Sequence, residues 1–208
     1  MREKEKAVVV SQEYIGTGIY SMVIKTKAAD SAVAGQFVSI YCKDKTKLLP
    51  RPISICEIDK ENGTIRIVYR VVGGGTEEMS GYKSGDGIEL IGPLGNGFMQ
   101  RENKKAILIG GGIGIPPMVG LAEALKDKGI QGDVIYACGP TPMLKAIKEY
   151  AMEKGIECQL SLEERMACGI GACLACVCKS KDKDAHSNVN NKRICKDGPV
   201  FWAEEVEL

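Results

Sequence analysis

The sequence predicts an α+β protein in three parts: an antiparallel six-stranded β-barrel over residues 1–100, a reduced α/β segment over 101–162, and a C-terminal cysteine segment over 163–208. Three observations carry this reading. Short runs rich in Val, Ile and Tyr, separated by turn residues, fill the first half. Strand and helix patterns alternate in the middle. Of nine cysteines, five fall from residue 168 onward.

The barrel strands are expected at 6–11, 20–26, 36–42, 52–58, 64–72 and 87–91. Turns at Glu61-Asn62-Gly63 and Ser84-Gly85-Asp86-Gly87 interrupt them. The fifth run alternates, with Ile65, Ile67, Tyr69 and Val71 on one face and Arg66, Val68, Arg70 and Val72 on the other. Six short strands at this spacing suggest a small barrel. Further on, 106–109, 134–137 and 156–162 read as strands. The first helix between them shows Met118, Leu121, Ala122 and Leu125 on one face, with Gly129 as its stop. The second is expected to be capped by Thr141, to have Pro142 at its first position, to bury Met143, Ile147 and Tyr150, and to end at Gly155. A βαβαβ order implies parallel strands. The stretch 179–192, which contains His186, reads as a solvated loop.

Composition narrows the function. A net charge of +1 without a basic stripe gives no footprint for nucleic acid. No apolar run approaches the roughly 20 residues that cross a bilayer, and the charged start leads into too short an apolar run for a signal peptide. A cytoplasmic protein is expected. There, clustered thiols point to metal or redox chemistry rather than disulfides. Cys42, Cys56, Cys138 and Cys158 stand singly in apolar stretches and read as core residues.

Cys168, Cys173 and Cys176 have the spacing C-x4-C-x2-C, which is the plant-type ferredoxin spacing for a 2Fe–2S cluster. Gly169, Gly171, Ala172 and Ala175 keep the loop small enough to wrap a compact cluster. Cys195 is the expected fourth ligand, because Cys178 follows Cys176 too closely to point the same way. Structural zinc favours paired C-x2-C units instead, and a Rieske cluster needs two histidines where this chain has one.

Arg51-Pro52-Ile53-Ser54 opens a barrel strand. A guanidinium suits a pyrophosphate and the Ser54 hydroxyl can bond a flavin ring. Val72-Gly73-Gly74-Gly75-Thr76 follows the alternating strand, where backbone amides can close on a phosphate and Thr76 can add a donor. Gly110 to Pro117 joins a strand to a helix start, a place that favours phosphate, and Cys138-Gly139-Pro140 ends the next strand.

In that order, and followed by the cysteines, these motifs resemble the ferredoxin–NADP reductase superfamily. The closing run from Ile194-Cys195 to Phe201 is similar to the electron-transfer subunits of dihydroorotate dehydrogenase B. The resemblance spans nearly the whole chain. It implies FAD on Arg51, Pro52, Ile53, Ser54, Val68, Tyr69, Arg70, Gly75 and Thr76, and a cluster on Cys168, Cys173, Cys176 and Cys195. It implies NAD on Gly111, Gly112, Gly114, Cys138, Gly139 and Pro140. It also implies an FMN-containing catalytic subunit as partner, in a heterotetramer, which oxidises dihydroorotate in pyrimidine biosynthesis. Electrons would pass from that FMN through 2Fe–2S and FAD to NAD. The rival readings are a flavin subunit working between ferredoxin and pyridine nucleotides, and a non-enzymatic electron-carrying module.

The chain departs from the family in two places. Ile53 stands where many members place a Tyr on the flavin. Three strands are visible where the nucleotide domain has five, which leaves the order 1-4-5 from 3-2-1-4-5 and exposes 106–109 as an apolar edge. The strand-order reversal that makes the binding crevice is then missing, so NAD binding is expected to suffer. Ser161-Leu162-Glu163-Glu164 fits a capping box before a short helix rather than a catalytic pair.

Overall fold

The computed structural model describes residues 4–101, 104–125, 133–184 and 188–208. The first half holds strands β1 (Glu5–Gly16) and β2 (Ile19–Lys25), helix α1 (Ala28–Ser31), and strands β3 (Phe37–Tyr41), β4 (Arg51–Asp59) and β5 (Thr64–Arg70). Helix α2 (Gly74–Ser80) and strand β6 (Gly87–Leu94) follow. The strands close into a barrel in the order β1-β2-β5-β4-β3-β6, every pair antiparallel. Gly63 (φ 62°) and Gly85 (φ 88°) make the expected turns in the left-handed region.

Periodicity decides which side chains fill the barrel. Ile65, Ile67 and Tyr69 of β5 join Val9, Met22, Ile24, Val38, Ile40 and Leu90 in one buried cluster. A slip of one residue would turn the whole set outward, forfeiting about 1.5–3 kcal/mol for each large apolar side chain exposed. Val68 is buried as well, on the outer face, where the rest of the protein covers the barrel.

The middle segment holds β7 (Lys105–Gly110), a 3₁₀ turn (Gly112–Gly114), α3 (Ile115–Leu125), β8 (Asp133–Cys138), α4 (Thr141–Lys154) and β9 (Glu157–Ser161). Strands β7, β8 and β9 pair in parallel, as the sequence implied. The C-terminal segment adds a hairpin of β10 (Val177–Lys179) and β11 (Asn191–Arg193), then β12 (Val200–Trp202). Strand β12 lies antiparallel on β9, so the sheet order is β12-β9-β8-β7 and β7 is an edge. Helix α3 lies against β4: a Cβ at Gly120 would overlap the Cys56 carbonyl oxygen, and that close approach seats the sheet on the barrel.

Several local expectations need correction. Pro140 occupies the α4 cap and Thr141 is the first helical residue, with no side-chain capping bond. The buried stripe of α4 runs through Leu144 and Ala151, with Met143 and Ile147 half-buried, while Tyr150 is exposed. Adjacent apolar residues at 143 and 144 let the stripe be drawn one position off. Ala122 of α3 is exposed for a similar reason. No helix forms at 163–166. The stretch 179–192 is partly built into the β10–β11 hairpin, and Ser180 is fully buried. Gly129 and His186 lie outside the described residues. No helix among the described residues is long and apolar enough to cross a membrane.

Candidate functional site

A cleft of about 510 Å³ opens between the barrel and the sheet, a volume in the usual range for ligand sites. One wall is Arg51, Pro52, Ile53 and Ser54 of β4, with Val68, Tyr69 and Arg70 of β5 and the turn 72–76. All nine residues expected to hold a flavin are therefore brought together. The other lining residues were not foreseen: Phe37 on the barrel wall, and Ile113, Ser161, Leu162, Glu163, Glu164, Met166 and Pro199 from outside the barrel. Phe37 stands directly across from Ser54 in the ladder, so barrel pairing alone could have found it. Residues 161–166 leave the C-terminal end of β9, where parallel strands place their ligands. Pairing and topology were the available signals.

The glycine triplet differs from the loop that its composition suggests. Gly74 and Gly75 begin α2, and the Thr76 hydroxyl is committed within that turn. It accepts from the Val72 N–H at 2.9 Å and donates to the Gly73 carbonyl at 3.0 Å, so Thr76 shapes the cleft without offering its hydroxyl to a ligand. Gly75 is required by contact. A Cβ there would overlap the Arg51 guanidinium, which is anchored on the Leu49 carbonyl. That cradle, with Arg70 lining the same cleft, fits a pyrophosphate. Ile53 packs partly into the barrel core, and Leu162 and Met166 supply apolar surface on the far wall. Glu163 keeps a water-exposed face, yet the surrounding walls bury enough of it to push its carboxyl pKa upward. With water still reaching that face, the push is weaker than full burial would cause.

The four expected cluster cysteines stand as two pairs. Cys176 and Cys195 meet through the Cys195 N–H, which donates to the Cys176 sulfur at 3.4 Å. Cys168 and Cys173 are hydrogen-bonded to each other. Among the described residues, no three Cys, His, Asp or Glu side chains gather closely enough to share a single ion. Two pairs suit a cluster that takes two thiolates on each of two irons better than they suit one tetrahedral zinc. The loop is shaped for sulfur. Gly169 (φ 70°) and Gly171 (φ 84°) turn backbone N–H groups inward. Burial tends to raise the Cys168 pKa, but bonds from the N–H groups of Ile170, Cys173 and Ala172 and from the Cys173 thiol outweigh it, and the pKa falls to about 6. Cys195, in contrast, is pushed up to about 12 by burial and its Cys176 neighbour.

Sequence reasoning missed Arg193, whose type and place in a polar stretch gave no signal. It is buried, binds Asp197 through Nε (3.0 Å) and Nη2 (3.2 Å), and donates to the Gly171 carbonyl at 3.3 Å. It thereby ties the first cysteine loop to the segment that carries Cys195.

The residues expected to hold a nicotinamide nucleotide are not among those that line the flavin cleft; of that turn Ile113 reaches it. Gly111, Gly114, Cys138 and Gly139 pack on one another instead, while Gly112 is exposed. The Gly111 N–H bonds the Cys138 carbonyl at 2.9 Å, a Cβ on Gly114 would overlap that same carbonyl, and one on Gly139 would stand 3.1 Å from Gly111 Cα. Pro140 caps α4.

Comparison with known proteins agrees with this geometry. The model of the iron-sulfur cluster binding domain of dihydroorotate dehydrogenase B matches residues 163–207, and that of the oxidoreductase FAD-binding domain matches residues 6–98. The dihydroorotate dehydrogenase B (NAD(+)) electron transfer subunit of Caldanaerobacter subterraneus subsp. tengcongensis is 39% identical over 252 residues, covering 99% of each chain. That of Lysinibacillus sphaericus is 36% identical over 262 residues, covering all of both. Since this chain has 208 residues, at least 44 of the 252 aligned positions face a gap. Among solved structures, one of an NADH-dependent reduced ferredoxin-NADP oxidoreductase superposes with TM-score 0.81 at 28% identity, covering 96% of this chain and 89% of that one. A ferredoxin reductase of carbazole 1,9a-dioxygenase shares the fold alone, with TM-score 0.60, 20% identity and coverage of 74% and 62%. The chain belongs to the family of the electron transfer subunits of dihydroorotate dehydrogenase B.

Proposed function

We propose that this chain is the electron-transfer subunit of an NAD-linked dihydroorotate dehydrogenase, an oxidoreductase of pyrimidine biosynthesis. It would connect a 2Fe–2S cluster on Cys168, Cys173, Cys176 and Cys195 with an FAD in the barrel cleft. The carrying observation is that one segment serves both sites: Met166 lines the cleft, and Cys168 is two residues further on. Two residues of chain span at most about 7 Å, so the cofactors would lie within short electron-transfer range. A flavin exchanges single electrons with an iron–sulfur centre and a hydride with a nicotinamide, which makes it the junction between the two kinds of carrier.

The chain's own residues supply position and potential. Arg51, held flat against Gly75, orients a pyrophosphate; Ser54 and the backbone of Val68, Tyr69 and Arg70 face the cleft that the ring would occupy. Inward N–H groups hold Cys168 as thiolate. Cys173 is exposed between the exposed apolar side chains of Ile170 and Leu174, which suits docking of a partner that delivers electrons there. An FMN-containing catalytic subunit, in a heterotetramer with this chain, is the partner that the reading requires. The nine free thiols suit a reducing cytoplasm. Nicotinamide binding is the weakened function, because Gly111, Gly114, Cys138 and Gly139, four of the six residues expected to serve it, are spent on packing.

Anaerobic purification with iron, sulfide and flavin assays tests the proposal. We expect about two irons and one FAD per chain, and dihydroorotate-dependent reduction once the catalytic subunit is added. Zinc in place of iron, or colourless protein after reconstitution, would overturn it.

A further inference from the structure

We propose that the Ser39 hydroxyl donates a hydrogen bond into the sulfur shell of the cluster and so raises its reduction potential. Among the described residues, Ser39 Oγ is the buried side-chain nitrogen or oxygen that lacks a hydrogen-bond partner, and the residue is 1% exposed. Buried hydroxyls are seldom left unpaired, because the lost bond to water is not recovered. An orphan of this kind marks the place of an absent acceptor.

Position identifies that acceptor. Ser39 lies on β3, whose neighbouring side chains Val38 and Ile40 fill the barrel, so it faces outward. On that outer face its neighbours Phe37 and Pro52 both line the flavin cleft. Above it lies Gly169, the residue after Cys168: a Cβ on Gly169 would stand only 2.8 Å from Ser39 Oγ. Gly169 also has φ 70°. The cysteine loop thus comes down onto the hydroxyl at a glycine, where no side chain keeps them apart. The hydroxyl stands between the two cofactor sites and against the loop that carries Cys168. An anionic sulfur accepts strongly from a hydroxyl, and the bond strengthens when the cluster gains an electron. Hydrogen bonds to cluster sulfurs are among the factors that set its potential. Ser39 is accordingly a tuning residue, not a catalytic one.

This inference rests on the cluster reading above, and the test separates the two. The full chain is reduced in D2O and the cluster is examined by EPR and deuterium ENDOR, beside Ser39→Ala. A wild-type protein without a reduced 2Fe–2S signal would mean that the cluster reading itself has failed. With the signal present, Ser39→Ala should lose one exchangeable deuterium coupling. Its reduced fraction should fall several-fold at the wild-type midpoint potential, a tenfold change corresponding to 59 mV for one electron. A coupling retained in Ser39→Ala, or an unchanged potential, overturns the inference. The cluster-free proteins give an independent check. There Ser39→Ala removes an unpaired hydroxyl and should melt at or above wild type; a clearly lower melting temperature would mean that the hydroxyl has a partner within the protein, and the inference falls.

Discussion

Single residues decide how well each cofactor site is shaped. Arg51 holds its guanidinium in the cleft only because Gly75 leaves room for it. Arg51→Ala removes a charged hydrogen-bonding group that contributes about 1.5–3 kcal/mol, so FAD should dissociate about ten- to a hundredfold more readily. Gly75→Ala should weaken FAD comparably while leaving the charge in place, by forcing the guanidinium out of its seat. Flavin retained after dilution, measured by fluorescence, checks both. The thiols give a second test. With its pKa near 6, Cys168 of the cluster-free protein is mostly thiolate at pH 7, whereas Cys178 and Cys195 are raised to about 11 and about 12 by burial. Brief alkylation at pH 7 followed by peptide mapping should therefore label Cys168 far ahead of those two, and lowering the pH through 6 should slow it. Arg51 and the cysteines were legible in the sequence because their chemistry needs those residue types. Arg193 and Ser39 were not, because burial gives them their roles and an isolated Arg or Ser carries no sign of burial.

Elements were legible where periodicity was strong. All six barrel strands exist where alternation and turn glycines put them, since a half-buried strand must alternate. Strand β1, however, runs on to Gly16, five residues past its expected end. Strand β12 was missed because three residues hold too little periodicity, and its edge position comes from pairing with β9 forty residues earlier in the chain. The hairpin β10–β11 bears on a choice that the cysteine spacing left to inference. Cys178 lies in β10 opposite Lys192, whereas Cys195 follows the hairpin and meets Cys176. Cys195→Ser should lose the cluster and Cys178→Ser should keep it, as read from the visible absorbance and iron content of the two variants. Equal loss in both would mean that the fourth ligand is misassigned.

At the scale of the whole molecule, the sheet is short on one side. Strand β7 is its edge, with Ile107 42% exposed, and the aligned relatives carry at least 44 positions that this chain lacks. An apolar edge invites pairing, so the isolated chain should associate as its concentration rises, and Ile107→Lys should reduce that association in sedimentation runs. Among the described residues this sheet shows no strand-order reversal of the kind that makes a nucleotide crevice. We therefore expect NADH to reduce the bound flavin poorly. Stopped-flow reduction that saturates at the same NADH concentration as in a variant with the full five-strand domain would contradict this.

The β9–β12 pairing has a consequence for how such a protein can be assembled from parts. Ser161 and Val200 are ladder partners, and the Leu162 N–H bonds the Pro199 carbonyl at 2.9 Å. The polypeptide between them, which carries the four cysteines proposed to hold the cluster, leaves and re-enters the sheet at one spot. It has the topology of a cassette set into the bend of an ordinary β-hairpin. A cassette whose two ends touch can be gained, exchanged or lost while its host keeps its path, because a tight turn would close the gap left behind. Metal chemistry could have been added to a flavin-binding scaffold in a single insertion, and it could be transplanted to another hairpin by the same cut.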